Sequence, residues 1–499
     1  MVNTNSPSTP RKRWKIFLFP PLALIPLWRR RDFRLRRKFF LTVGIFLGSL
    51  IYTGAALLLL HWFFGLEFEM RGRPIPVPTF SKNVPNYQAL DESRKKQAGS
   101  VASTTTGSVY WTEFRGPGRS GHYTQASLET NWPPAGLPAI WRQPIGGGYA
   151  SFAVAGGRAF TIEQRRENES VTAYDAETGR ELWAYTYPAV FREWMGGDGP
   201  RATPTFHENK IYALGAQGDL HCLQADDGKV VWRRNVLSDG ACTNLPYGTA
   251  ASPLIVDDKV IVTSGARIHE GSRTVLAYAV KNGEPVWKAL TNKMAYVSPM
   301  RVTIAGRDQL LIVGGMEVFG LEPSNGNLLW MQPWPVAYDN NIAQPVMVAT
   351  NRFFVSSGYG AGCAVFELAK AQERFTVRTV WKNKALKNKF TSSVLWENHL
   401  YGLDEDILTC LDAETGERKW KNGRYGYGQV LLASGHLIIL TGDGQLALVR
   451  AIPGGHEEAA RFQAIKGKTW NNPAIAAGRI FVRNSAEMAS FQIGTVPVR

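Results

Sequence analysis

Beyond residue 110 the chain reads as short runs in which apolar and polar residues alternate. A period of two is the pattern of a strand with one face buried. The runs end in pairs of turn-forming residues: Gly156-Gly157, Glu208-Asn209, Asp257-Asp258, Glu397-Asn398, Ser434-Gly435 and Ala477-Gly478. Two-residue loops of this kind, set between β-branched and aromatic runs, predict hairpins. Before residue 65 the pattern changes. Residues 39–64 run without a charge, and His61 is their only strongly polar residue. That length spans a bilayer with some tilt.

One frame organises the strands. In residues 173–183 a strand ends at Asp175, a tight turn passes through Gly179, and a second strand runs out to Trp183. Gly179 stands where the turn needs a positive φ, which glycine adopts without steric cost. Asp175 can hold the turn by bonding the backbone two residues on. The frame returns with Gly228 and Trp232, Gly283 and Trp287, Gly326 and Trp330, and Gly416 and Trp420. A repeat of roughly 50 residues predicts a ring or an array of equivalent units.

Each unit should be a four-stranded blade. The inner strands start at Ser151, at residues 202–204, 251–253, 297–299, 343–345 and 391–393, near Gln429, and at residues 472–473. Blades five and seven keep Trp381 and Phe462 at the outer position but lack a clean turn glycine. Blade eight has no outer strand after residue 493, whereas an unmatched strand, residues 137–141 with Trp141, precedes blade one. The two ends are therefore expected to close the ring. The fold class is all-β, an eight-bladed β-propeller preceded by one N-terminal transmembrane helix. The expected organisation is a basic tail (1–38), the helix (39–64), a linker (65–109), a lead-in segment (110–136), the propeller (137–493, closed by strand 137–141) and a short tail (494–499).

The frame resembles the tryptophan-docking motif of the pyrroloquinoline-quinone-like repeat. That repeat builds the eight-bladed propellers of the quinoprotein alcohol dehydrogenase-like family, including those of outer-membrane assembly lipoproteins. The resemblance covers residues 110–493. It implies that Trp141, Trp183, Trp232, Trp287, Trp330, Trp381 and Trp420 dock neighbouring blades. Residues 111–121, with Phe114-Arg-Gly-Pro117, resemble the segment that precedes blade one in such propellers and should lie across the ring. The lipoproteins attach through an N-terminal cysteine, and no cysteine lies near this N-terminus.

The formal charge is +16, and its location matters more than its size. Eleven Lys or Arg precede Phe39 against the single acid Asp32, so this tail carries +10 and the remainder +6. A nucleic-acid partner would want the basic face on the folded domain, and none is expected. Bases before an apolar span place the N-terminus in the cytoplasm and the propeller outside. With the bacterial setting that the resemblance implies, the protein belongs in the inner membrane, single-pass, with a periplasmic propeller. Arg36-Arg37 also resembles a twin-arginine export signal, but no Ala-x-Ala cleavage site follows, so an uncleaved anchor is expected. Residues 16–28, broken by three prolines, read as an interfacial segment. Residues 73–78 read as a stiff part of the linker and residues 99–107 as a flexible one. Cys222, Cys242, Cys363 and Cys410 read as small buried hydrophobes.

Loops leading into the inner strands surround the axial channel, the usual ligand funnel of a propeller. Here they offer Tyr149, Tyr247, Tyr296, Tyr427 and Trp470 for stacking, and Arg201 and Lys389 for an acidic group. Asp339 and Asn341 could bind a hard cation through oxygen, and Asn341 could also contact a ligand. The quinone dehydrogenases of the resembled family need a calcium-held pyrroloquinoline quinone, a catalytic Asp and a pair of adjacent bridged cysteines. Asp198 is the candidate for the first residue type, and no Cys-Cys pair exists. No Gly-x-Ser-x-Gly, His-Glu-x-x-His or P-loop motif is present. The sequence therefore points to a non-catalytic binding or scaffold protein without a cofactor, its partner an envelope protein or a small ligand. Two alternatives stand beside it: a quinone dehydrogenase, and a sensor acting through its basic tail.

Overall fold

A computed structural model describes residues 28, 34–64, 66–69, 77–80, 84–97, 111–372 and 374–496. The chain divides into two compact units, residues 1–82 and 83–499.

The first unit contains helix α1 (Leu35–Phe64), of which Leu35–Leu60 is long and apolar enough to cross a membrane. It starts ahead of the expected Phe39, because Leu, Arg and Lys are good helix formers and extend the first turns. Leu66–Glu69 pairs antiparallel with Val77–Phe80. This pair lies within residues 65–109, read as a linker, and Val77 and Pro78 of its stiff stretch are in extended strand. The interfacial reading of residues 16–28 lies, apart from Trp28, outside the described residues, as does the flexible stretch 99–107.

The second unit opens with helix α2 (Tyr87–Gln97), also inside the expected linker. Asn86 Oδ1 caps it by accepting from the Ala89 N–H at 3.0 Å. Leu90 is buried beneath it. Ser93 Oγ donates to Gln143 Oε1 at 2.9 Å, and Arg94 pairs with Glu181 at 2.9 Å. The helix is thereby fastened across blades eight and one.

The rest is the eight-bladed ring. Seven blades are formed by strands in chain order, from Ala153–Ala155 in blade one to Glu458–Gln463 in blade seven; in blade three Ala266–Arg267 leaves the blade to pair with Cys242–Thr243. Blade eight takes Ala474–Ala476, Arg479–Arg483 and Glu487–Gln492 from the C-terminal end, and Ala139–Pro144 from the N-terminal side. The closing strand lies slightly beyond residues 137–141, with Trp141 opposite Ser490. Residues read as a C-terminal tail also pair: Thr495–Val496 aligns with Ser127–Leu128. All four cysteines are buried and free.

Docking runs from each blade to the next. The indole N–H of Trp183 donates to Ala225 O at 3.0 Å, Trp232 to Val280 O at 3.0 Å, and Trp381 to Ala413 O at 3.0 Å. Trp141 reaches Ala176 O at 3.1 Å across the closure. The turn glycine packs on the same indole; a Cβ on Gly228 would lie 2.5 Å from Trp183. Trp330 is the exception. Blade five lacks the turn and instead carries a long hairpin, Gly362–Ala371 with Arg374–Asn383. Trp330 turns to Gln309 Oε1 of its own blade at 2.6 Å and packs on Phe353 of blade five at 5.5 Å. At the blade seven seam, Phe462 packs on Gly136, where a Cβ would lie 2.5 Å away, and meets Trp132 edge-on at 6.0 Å. The missing turn of blade eight is thus supplied from the segment ahead of strand Ala139–Pro144.

Residues 111–123 cross the axial channel. Trp111 bridges to Val154 of blade one, and Thr112 O accepts from Phe206 of blade two. Arg119 donates to Ser252 O at 3.0 Å and Pro299 O at 2.8 Å, in blades three and four, and pairs with Glu113 at 2.9 Å. Arg115 donates to Ser393 O at 3.2 Å and Val430 O at 3.1 Å, in blades six and seven. His122–Tyr123 then joins the inner edge of blade seven as a parallel strand. Both arginines are fully buried, and their forked donors satisfy inner-strand carbonyls that face the channel.

Candidate functional site

Above this plug lies a cavity of about 740 Å3. Its wall comes from loops leading into the inner strands and from the Tyr359 hairpin of blade five. Eight aromatic residues line it: Phe114, Tyr149, Tyr247, Tyr296, Tyr338, Tyr359, Phe390 and Trp470. They form a nearly continuous belt. Tyr149 stacks on Trp470 at 5.7 Å, Trp470 meets Phe390 at 4.7 Å, and Tyr338 meets Tyr359 at 5.9 Å. Tyr247 packs edge-on against Tyr296 at 5.6 Å.

Buried polar groups beneath the belt hold its loops. Gln429 Nε2 donates to Phe390 O at 3.0 Å and to Trp470 O at 2.9 Å. Asn471 Nδ2 donates to Ala150 O at 2.9 Å. Glu163 Oε2 accepts from the Gly146 N–H at 2.7 Å, and Arg483 donates to Gly146 O at 2.9 Å. Burial pushes the Glu163 carboxyl up, but Arg165 and Arg483 outweigh it and hold it below the usual range.

Two cations stand in the belt. Arg201 donates to Gly197 O and Gly199 O at 2.6 Å each and lies over Phe191 and Tyr149 at 4.9 and 5.4 Å. Lys389 Nζ sits 4.7 Å from the Tyr427 ring, 5.3 Å from Tyr359 and 5.5 Å from Phe390. Neither makes an ion pair among the described residues. Burial lowers the pKa of both, against the fields of Tyr149 and Glu193 at Arg201 and of Glu405 at Lys389. Burial raises the Tyr296 and Tyr359 phenols to about 12, so both are neutral donors at pH 7.

Of the residues expected from sequence, Tyr149, Arg201, Tyr247, Tyr296, Lys389 and Trp470 meet on this one cavity. Tyr427 stands beside it, against Lys389. Asn341 does not face it: its amide donates to Gly314 O and Gly315 O at 3.0 and 3.2 Å, and Oδ1 accepts from Ser357. Asp339 pairs with Lys293 at 2.8 Å. The pair therefore serves structure, and the cation-site reading has no support in this geometry. Asp198 is exposed, accepts from the Glu193 N–H at 3.0 Å and is not among the lining residues, though its charge reaches Arg201. Sequence reasoning passed over Phe114, Tyr338, Tyr359 and Phe390 as site residues. The signal for Tyr359 was its hairpin, because the turn joining the second and third strands of a blade returns to the mouth.

Among the described residues no Asp or Glu lines the cavity, and they hold no cluster of three or more His, Cys, Asp or Glu placed for a metal. Calcium takes oxygen ligands, carboxylates above all. The described lining residues offer calcium amide and hydroxyl oxygens but no carboxylate.

Ring, docking tryptophans and plugged funnel define a propeller of the quinoprotein-like, tryptophan-docked class. The sequence profile of the family described as outer membrane protein assembly factor BamB matches residues 167–422, more than half of the chain, and the chain belongs to that family. It is 21% identical over 382 residues to the assembly factor BamB of Bordetella pertussis, covering 66% of this chain and 91% of that protein. It is 33% identical over 98 residues to the cytochrome c-dependent 1-butanol dehydrogenase of Thauera butanivorans, covering 19% of this chain and 14% of that enzyme. The crystal structure of BamB from Moraxella catarrhalis superposes with a TM-score of 0.53 at 17% identity, covering 73% of this chain and 99% of that one.

Proposed function

We propose that this protein is a non-catalytic binding platform, anchored in the bacterial inner membrane by α1 and holding its propeller in the periplasm. The funnel face is its recognition surface. The observation that carries this reading is the make-up of the cavity: aromatic walls, two cations that make no ion pair among the described residues, no carboxylate among the described residues that line it, and a closed floor. Such a wall binds and orients, but offers no acid–base pair or metal seat for catalysis. The rim adds exposed apolar side chains, Trp194, Met195 and Tyr338, of the kind that meet a protein partner. Relatives named for outer membrane protein assembly support an envelope protein as that partner. The basic flank of α1 supports the cytoplasmic N-terminus.

The alternative, a quinone dehydrogenase, gains its support from short matches to dehydrogenases. It is tested with full-length protein in detergent, supplied with pyrroloquinoline quinone, calcium, an alcohol and an electron-accepting dye. The expected result is no dye reduction. Calcium-dependent reduction that disappears in Arg201→Ala and Asp198→Ala would replace the binding reading with the enzyme.

A further inference from the structure

Helix α2 is fastened to the propeller in a different way from the blades themselves. We propose that it is a releasable clasp: a salt-sensitive strap across the closing seam of the ring, whose seating holds the funnel loop 146–149 in place.

The fastening is weak by construction. A helix of 11 residues does not hold its shape alone in water, so it depends on what it touches. Among its described residues only Leu90 is buried. The remaining attachments are polar. Asp91 pairs with Arg166 at 2.6 Å, the two side chains being 38% and 56% exposed. Arg94 pairs with Glu181 at 2.9 Å, and 42% of the Arg94 side chain is exposed. Tyr87 lies against the Arg166 guanidinium at 5.2 Å. Ion pairs this open to water contribute little, and salt screens them. The blades instead bury their strands and dock through indoles. α2 should therefore leave its seat under conditions that keep the ring intact.

The position of the clasp gives it a role. It bridges blades eight and one, where the two ends of the propeller chain meet. The chain passes from α1 through α2 before it reaches the plug and the blades. A load carried along the chain from α1 reaches α2 first.

Two routes lead from the clasp to the funnel. Glu181, the partner of Arg94, also accepts from Arg165 at 2.6 Å. Arg165 Nε donates to the buried Glu163 at 2.7 Å, and Glu163 accepts from the Gly146 N–H at 2.7 Å. The second route is shorter. The Tyr87 hydroxyl donates to Gln164 O at 3.4 Å, and the same carbonyl accepts from the Gly147 N–H at 2.9 Å. Pro85, just ahead of the helix, lies 3.4 Å from where a Cβ on Gly147 would stand. Gly146, Gly147 and Gly148 lead directly to Tyr149, which stacks on Trp470. Successive glycines have wide conformational freedom, so this loop takes its shape from its neighbours.

The test is hydrogen exchange, read peptide by peptide, on full-length protein in detergent. Salt is raised from about 0.1 M to about 1 M, which shortens the screening length from about 10 Å to about 3 Å. The peptide of residues 87–97 is expected to lose about tenfold or more of its protection, while the strands of blades one and eight keep theirs. Asp91→Arg should release α2 at low salt. Adding Arg166→Asp restores the pair with its charges exchanged and should seat the helix again. Residues 146–149 should exchange about threefold or more faster whenever α2 is released, and recover in the double variant. Protection of α2 equal to that of the blade strands at both salts would overturn the proposal, making the helix a permanent part of the ring. So would release of α2 with exchange at residues 146–149 unchanged, or loss of protection throughout the ring at high salt. The readout involves neither ligand nor partner, so the clasp and the binding platform stand or fall on separate results.

Discussion

The outer docking ring and the funnel are both aromatic, the one mainly tryptophan and the other mainly tyrosine, and they work in opposite ways. In the ring, an indole such as that of Trp183 or Trp232 spends its N–H on a carbonyl of the next blade and covers a turn glycine; Trp330 departs from this by bonding Gln309 of its own blade. Nothing there is left for a ligand. In the funnel, the rings stack on one another and leave their faces and two cations toward a cavity. Repetition supplies the stability, while departures from repetition supply the chemistry.

Breaking the ring should have the largest effect. Gly228 has a φ of 72° and sits under the Trp183 indole. Gly228→Val combines backbone strain with overpacking and should cost about 3 kcal/mol or more in chemical denaturation. Tyr247→Ala in the funnel should stay within about 1 kcal/mol of the parent.

The plug comes next. Arg115→Met leaves the buried carbonyls of Ser393 and Val430 without their donor and should cost about 2–3 kcal/mol. Lys389→Gln removes a cation that burial disfavours and that makes no ion pair among the described residues, although the field of Glu405 reaches it. It should leave the unfolding midpoint unchanged or slightly raised, which sharpens the contrast between structural and ligand-facing cations.

The ring should also respond to acid. His221, packed 4.3 Å from Tyr187, is held neutral by burial and by the charge of Arg233, its pKa falling from 6.5 to about 4. The unfolded chain takes up this proton first, so stability is full above pH 6.5 and declines as pH falls toward about 4. The slope from this residue approaches 1.4 kcal/mol per pH unit at most, about the value of one pKa unit. Denaturation at pH 7 and pH 5 should show this loss in the parent and a smaller one in His221→Phe.

The smallest effect is a single docking bond. Trp183→Phe keeps the ring face but loses the bond to Ala225 O and should cost about 1 kcal/mol.

The fold was legible because its signal is local and repeated: a turn glycine, then a tryptophan four residues on, needs no distant contact to recognise. What was missed depends on distant pieces of chain. Gly136 serves Phe462, and Gln309 serves Trp330, and no spacing rule announces either pair. Helix α2 was hidden in a charged stretch whose few apolar residues gave no clear stripe, and it is held by side chains of blades eight and one. In the site, the stacking and charged residues of the inner-strand loops were legible from their place before each blade. Asn341 was misread because a polar residue in a funnel loop can serve the backbone as readily as a ligand. Tyr359 and Phe114 were missed because one arrives by a hairpin and the other on the plug.

The most direct measurement places a photo-crosslinking amino acid, in living cells, at Trp194 or Tyr338 on the rim and, in parallel, at Val286 or Leu328 on the outer strands. All four side chains are exposed. The expected result is a discrete adduct with one envelope protein from the rim positions and none from the outer strands. Adducts from the outer strands alone, with a silent rim, would contradict the assignment of recognition to the funnel face.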